Sequence, residues 1–94
     1  MNEAKLNDLI LQSLEHELGG VKIYEHALRC AVNPDLREEW GTYLEQTRSH
    51  VEAWRNGVQA GALDPDRETP SRKVVRSVGA ALVHRVFLHE HHAA

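Results

Sequence analysis

Two apolar stripes with the same rhythm, separated by four residues, decide what this 94-residue chain can fold into. The first runs Ile10, Leu14, Glu17, Val21, Tyr24, Leu28, Ala31, in alternating steps of four and three. The second runs Leu36, Trp40, Tyr43, Thr47, His50, Trp54, Gly57 and repeats those steps. Such spacing keeps side chains on one face of an α-helix. Only Val32-Asn33-Pro34-Asp35 lies between the stripes, a connection short enough to make the two helices antiparallel neighbours. Each helix is roughly 40 Å long at about 1.5 Å per residue, so the pair reads as a long hairpin.

Folding the chain at that connection sets residues opposite one another when their numbers sum to 67 or 68. Ala31 meets Leu36, Leu28 meets Trp40, Tyr24 meets Tyr43, Val21 meets Thr47, Glu17 meets His50 and Leu14 meets Trp54. Nearly every level is apolar or aromatic; the exception is a carboxylate facing an imidazole. An ionisable pair in a helical seam costs free energy unless something satisfies it. Two readings are open at this point: a metal ion held by Glu17 and His50, or a hydrogen-bonded Glu–His pair supported by Thr47 or a water.

The helix boundaries follow from capping residues. Asn2 reads as an N-cap with Glu3 in the first turn, starting a helix over about residues 2–31. Gly19-Gly20 falls mid-helix, at a cost of up to ~1 kcal/mol per glycine relative to alanine. The pair removes side chains beside Glu17, which points to close approach of another helix or to a kink. Asn33-Pro34-Asp35 reads as cap, first position and acidic second position of a helix over about 34–60, ending at Gly61 in a left-handed cap. Asp64-Pro65-Asp66 marks a turn within a linker at 61–69, and Thr69-Pro70 starts a third helix over about 70–89. Its apolar positions are Val74/Val75, Val78, Leu82, Val86 and His89. The expected fold class is all-α, an antiparallel helical hairpin plus a third shorter helix, forming a single domain over 1–94. A core this thin favours self-association, and two hairpins packed together make a four-helix bundle.

Charge and composition narrow the function classes. The net charge of −3 divides unevenly: residues 1–68 carry 13 acids and 7 bases, whereas residues 69–94 carry 4 bases and one acid. The basic third segment can pair with a neighbour's acidic hairpin or stand in solvent. Solvation is the expectation, because exposed charge pairs contribute little. Arg72, Lys73 and Arg76 are too few to read as a nucleic-acid footprint. The single Cys30 excludes an internal disulfide and reads as a small buried residue near a helix end. Glu3, Lys5 and Asp8 stand where a signal peptide would need an apolar run, and no stretch approaches the ~18 apolar residues of a membrane span. The expectation is a cytoplasmic protein with no membrane and no nucleic-acid partner.

Several residues carry a likeness to a known family. Glu17 with Tyr24 seven residues later resembles the first-helix Glu…Tyr arrangement of ferritins and bacterioferritins. His50 falls where those proteins carry the glutamate of a second-helix Glu-x-x-His. The stretch from Tyr43 to Val51 resembles the second helix of stress-associated ferritin-like proteins, and Ala27-Leu28…Leu36-Arg37-Glu38-Glu39 is similar too. The likeness spans roughly residues 10–60. It implies a ferritin-like four-helix bundle that binds iron or manganese, with ferroxidase or peroxide chemistry in some members. Carried over by position are Glu17, Tyr24 and, with altered identity, His50. The chain departs from the family pattern in its ligands: Thr47 and Ala53 stand three residues either side of His50, and Glu45 and Glu52 lie off the seam. No acid occurs between Glu68 and Glu90, and only three helices are read where the family has four. With Glu-x-x-His incomplete, ferroxidase activity is not expected.

A homodimer can repair part of the ligand count. A two-fold axis near Glu17 and His50 brings two carboxylates and two imidazoles together, a set that suits zinc, iron or manganese. Tyr24, Thr47 and Glu45 are weaker candidates for the same centre. The alternative is a metal-free helical oligomerisation module that kept the bundle and lost the chemistry. Of the other histidines, His16 and His26 lie off the seam and His84 reads as surface. His89, His91 and His92 form a tail cluster able to bind transition metals adventitiously. His16-Glu17-Leu18-Gly19-Gly20 has glycine where a zinc protease needs its second histidine, which excludes that class.

Overall fold

The computed structural model describes the backbone of residues 2–93 and the side chains of residues 2–85. Three helices follow in order, α1 (Glu3–Cys30), α2 (Pro34–Ala60) and α3 (Pro70–Ala93), and no strand occurs among the described residues. Each start is fixed by a side-chain cap. Asn2 Oδ1 accepts from Lys5 N–H at 2.8 Å, Asn33 Oδ1 from Asp35 N–H at 2.9 Å, and Thr69 Oγ1 from Arg72 N–H at 3.1 Å. Each such bond satisfies a backbone donor that the first helical turn leaves without an internal partner. At the hairpin turn, Arg37 Nη1 donates to the carbonyls of Leu28 at 3.2 Å and Ala31 at 3.1 Å. A cation therefore sits on the negative end of the α1 dipole.

α1 is the hub: among the described residues, α2 and α3 both pack on it and not on each other. The bundle is long and narrow, 49 × 23 × 19 Å. Its core consists of Leu11, Leu14 and Ala27 from α1 with Leu44 and Val58 from α2. Leu11 and Leu14 are sealed from solvent, and each contributes about 1.5–3 kcal/mol by burial. The two central glycines serve different neighbours. A Cβ on Gly20 would stand 3.3 Å from Thr47 Cγ2 of α2, and a Cβ on Gly79 of α3 would stand 4.0 Å from the Gly19 Cα. Close approach is realised at Gly20 alone, and α1 runs as one helix through the pair.

Three local expectations change. First, the buried stripe of α2 is turned from the seam read in the sequence. Leu44, Thr47 and Val58 are buried, while Tyr43, His50, Trp54 and Gly57 lie on the open side. With no helix covering that side, the large aromatics stay at the edge of the α1–α2 contact and smaller side chains fill its middle.

Second, Gly61 is not left-handed: its φ is −83°, and the left-handed position falls on Ala62 at φ 63°. Ala62 N–H donates to Gln59 O and Leu63 N–H to Val58 O, both at 3.0 Å, the bond pair of a Schellman ending with alanine where glycine is usual.

Third, the apolar stripe of α3 faces out. Val74, Val78 and Leu82 are 63%, 56% and 48% exposed, whereas Arg72 is buried and Val75, Gly79 and Val83 are partly so. The ion pair of Arg72 with buried Glu15 turns that face of α3 toward α1 in preference to its larger valines.

Candidate functional site

The Glu17/His50 level lies midway along the α1–α2 edge. His50 Nδ1 stands 3.7 Å from Glu17 Oε2, and neither side chain has another polar partner among the described residues. The pair is not sealed in the seam as read: the His50 side chain is 64% exposed and that of Glu17 29%. The same turning of α2 that exposes Tyr43 and Trp54 carries His50 outward. At 3.7 Å the contact is too long for a good hydrogen bond. Two donors held about 2.1 Å from one ion at a tetrahedral angle lie about 3.4 Å apart, close to that separation.

The weaker candidates separate from this level. Thr47 is buried, and its hydroxyl is spent on Tyr43 O at 2.7 Å, so its part is packing against Gly20. Glu45 is exposed and accepts from Arg48 Nη1 at 3.0 Å, away from the seam. Tyr24 packs on Tyr43 with ring centroids 5.8 Å apart and planes tilted by 48°. Tyr43 OH donates to Glu39 Oε1 at 2.7 Å, and that bond raises its phenol above the ordinary value. Among the described residues, no group of three or more His, Cys, Asp or Glu side chains is placed to hold a metal ion. A single chain thus offers one carboxylate and one imidazole. The tail cluster of His89, His91 and His92 lies outside the described side chains.

Sequence reading missed the buried polar cluster. Two residues before Glu17, on another face of α1, Glu15 is 4% exposed, and Arg72 of α3 is equally buried. Arg72 Nε donates to Glu15 Oε1 at 2.9 Å, while its Nη1 donates to the carbonyls of Pro65 at 2.6 Å and Arg67 at 3.1 Å. Arg76 Nη2 reaches the same Glu15 oxygen at 3.1 Å and also Glu68 Oε1 at 2.9 Å. Burial alone would push the Glu15 carboxyl up. The hydrogen bonds from Arg76 and Arg72, with their charges, outweigh it and hold the carboxyl below its ordinary value. Arg76 likewise holds Glu68 low.

The basic residues of α3 expected in solvent are therefore in part internal, because a desolvated carboxylate on α1 needs them. Ser71 adds a bond to Asp8 at 2.9 Å on the same face. No step of the chemistry above uses this cluster; it clamps α3 to α1. The only sequence signal for it is that Glu15 lies off the apolar seam with no base one turn away in α1.

Elsewhere, Cys30 ends α1 with Sγ 3.8 Å from His26 Nε2, and His16 and His84 are exposed. No helix among the described residues is long and apolar enough to cross a membrane. No family model matches the chain, and neither a curated protein nor a solved structure matches it.

Proposed function

We propose that this chain is a self-associating helical protein that binds one divalent metal ion between two copies. Each copy gives Glu17 and His50 to a site on a two-fold axis, in a ferritin-like four-helix bundle of two α1–α2 hairpins. The observation that carries the reading is the 3.7 Å spacing of His50 Nδ1 and Glu17 Oε2, with both groups lacking another partner and open on one side. Two carboxylates and two imidazoles complete a four-coordinate set that suits iron, zinc or manganese. The large apolar groups on the same edge, Tyr43 at 38% and Trp54 at 37% exposed, supply surface for the association. The ferritin-like resemblance of residues 10–60 favours iron or manganese, and the missing Glu-x-x-His argues for binding without ferroxidase turnover.

The test is metal analysis of untagged protein beside Glu17→Ala, with sedimentation of both. About half an equivalent of metal per chain, lost in the variant, is expected for one ion on a two-fold axis. Equal metal in both proteins, or a monomer at micromolar concentration, sinks the reading.

A second reading, a metal-free helical association module, is favoured by the lack of any three-donor group among the described residues. It predicts that replacing Glu17 and His50 together by leucine leaves the oligomer intact.

A further inference from the structure

α3 carries a seam of its own, with opposite charges at its two ends. Ser71, Val75, Val78, Leu82 and Arg85 follow one another in steps of four, three, four and three. That spacing keeps them on one line of the helix, the pattern of a coiled-coil seam. Ser71 and Val75 are half-buried at the edge of α1, whereas Val78, Leu82 and Arg85 are exposed. Among the described residues α2 does not pack on α3, so the chain does not cover this line itself.

The charge at each end lacks a counter-ion. At the first end, Ser71 Oγ donates to Asp8 Oδ2 at 2.9 Å, and Gln12 Nε2 donates to the same oxygen at 2.9 Å. The other Asp8 oxygen receives no hydrogen bond, and no described cation pairs with this carboxylate. At the second end, the Arg85 guanidinium pairs with no described residue. Only Val75, Val78 and Leu82 stand between the two ends on the seam.

An anion at one end, a cation at the other and an apolar middle make a surface complementary to itself when turned through two-fold rotation. In an antiparallel pair of α3 helices centred on Val78, facing residues have numbers that sum to 156 or 157. Val78 then meets Val78, Val75 meets Leu82, and Ser71 with its Asp8 meets Arg85. Leu9, 44% exposed, lies along the groove beside Val75 and widens the apolar surface offered to the opposing Leu82. A parallel pair would instead set Arg85 against Arg85, and like charges brought together oppose association.

We propose that the outward seam of α3 is covered by α3 of a second copy of this chain. The two helices run antiparallel about a two-fold axis at Val78, with Arg85 of each copy on Asp8 of the other. The apolar middle supplies the contact area, and the end charges fix direction and register. This contact shares no residue with the Glu17/His50 edge and stands whether or not that edge holds a metal ion.

The test uses the full chain with Cys30→Ser as background, so that an added cysteine is the only thiol. Position 78 faces its own copy across the axis, within reach of a disulfide. Val78→Cys should form a linked dimer at least about tenfold faster than Ser77→Cys, one residue round the helix. Equal rates overturn the proposal. Glu17→Ala, which tests the metal edge, should leave the rate of the Val78→Cys link unchanged.

Sedimentation gives a second measurement. Val78→Glu sets two carboxylates together on the axis and should halve the mass of the assembly. Helicity by circular dichroism should be kept, because Val78 is 56% exposed. An unchanged mass overturns the proposal, as does a wild-type monomer at about 100 μM, which would leave the face to another partner. Asp8→Asn and Arg85→Gln should each weaken association about three- to tenfold, and the double variant no more than either alone. Full additivity of the two overturns the pairing.

Discussion

Glu15 and Glu17 are two residues apart on one helix, yet they meet opposite surroundings. Glu15 is sealed between α1 and α3 with two guanidinium groups on it, and Glu17 stands at an open edge beside one imidazole. The difference teaches what it takes to bury a carboxylate in so small a protein. Arginine brings a charge that does not titrate and five donors in a fixed fork, so Arg72 can satisfy Glu15 and two backbone carbonyls at once. Histidine brings neither, and at 3.7 Å it gives Glu17 no good hydrogen bond. The first arrangement is closed and structural. The second is open to solvent and held by no strong bond.

The sharpest way to break that contrast is to remove the buried carboxylate. Glu15→Ala leaves Arg72 buried without its anion and should lower the free energy of unfolding in urea by about 3 kcal/mol. A loss below about 1 kcal/mol would place Glu15 in the same class as a surface pair.

Acid sharpens the contrast next. Glu15 has a lowered folded-state pKa, so the native protein binds fewer protons than the unfolded chain at acidic pH. Its contribution is complete above the ordinary value of 4.5 and is lost as pH falls below that value through the folded pKa. Urea midpoints measured at successive pH values should therefore fall on acidification below 4.5, and less steeply in Glu15→Gln. Parallel curves for the two proteins would show that Glu15 is not the group responsible.

The smallest effect belongs to the open pair. In metal-free protein, the double leucine replacement of Glu17 and His50 should change unfolding free energy by less than about 1 kcal/mol. A larger destabilisation would mean that the two groups are already structural without metal.

Much of this arrangement is written locally in the chain, and the rest is not. The starts of the helices are readable because Asn2, Asn33 and Thr69 act on backbone groups two or three residues away. The meeting of Glu17 with His50 is readable because a short turn between antiparallel helices leaves little freedom in register. Which face of α3 turns inward is not readable from apolar spacing. Val74, Val78 and Leu82 make the better stripe, but the partner of Glu15 lies on the face that turns inward. The Glu15–Arg72 pair joins positions 57 apart in sequence, beyond any periodicity. His50 shows the limit within the hairpin itself: a stripe in steps of four and three gives the neighbour across the seam, but not whether the line of closest contact runs to one side of it.

Among the described residues α1 alone touches both other helices, and this gives the molecule two attachments in parallel with α1 as the common post. They meet in the linker, where Arg55 of α2 holds Asp66 and Arg72 of α3 holds the carbonyls of Pro65 and Arg67. The α2 attachment is made by near neighbours along the chain. The α3 attachment closes loops of 57 and 63 residues, for Glu15–Arg72 and Asp8–Ser71. Loop-closure entropy grows only slowly with length, by about 0.6 kcal/mol per doubling, so this separation costs little once the polar clamp has formed. The contacts that set the Glu17/His50 edge lie between α1 and α2 and include none from α3. Clamp and hairpin are two sets of contacts joined by one helix and one linker.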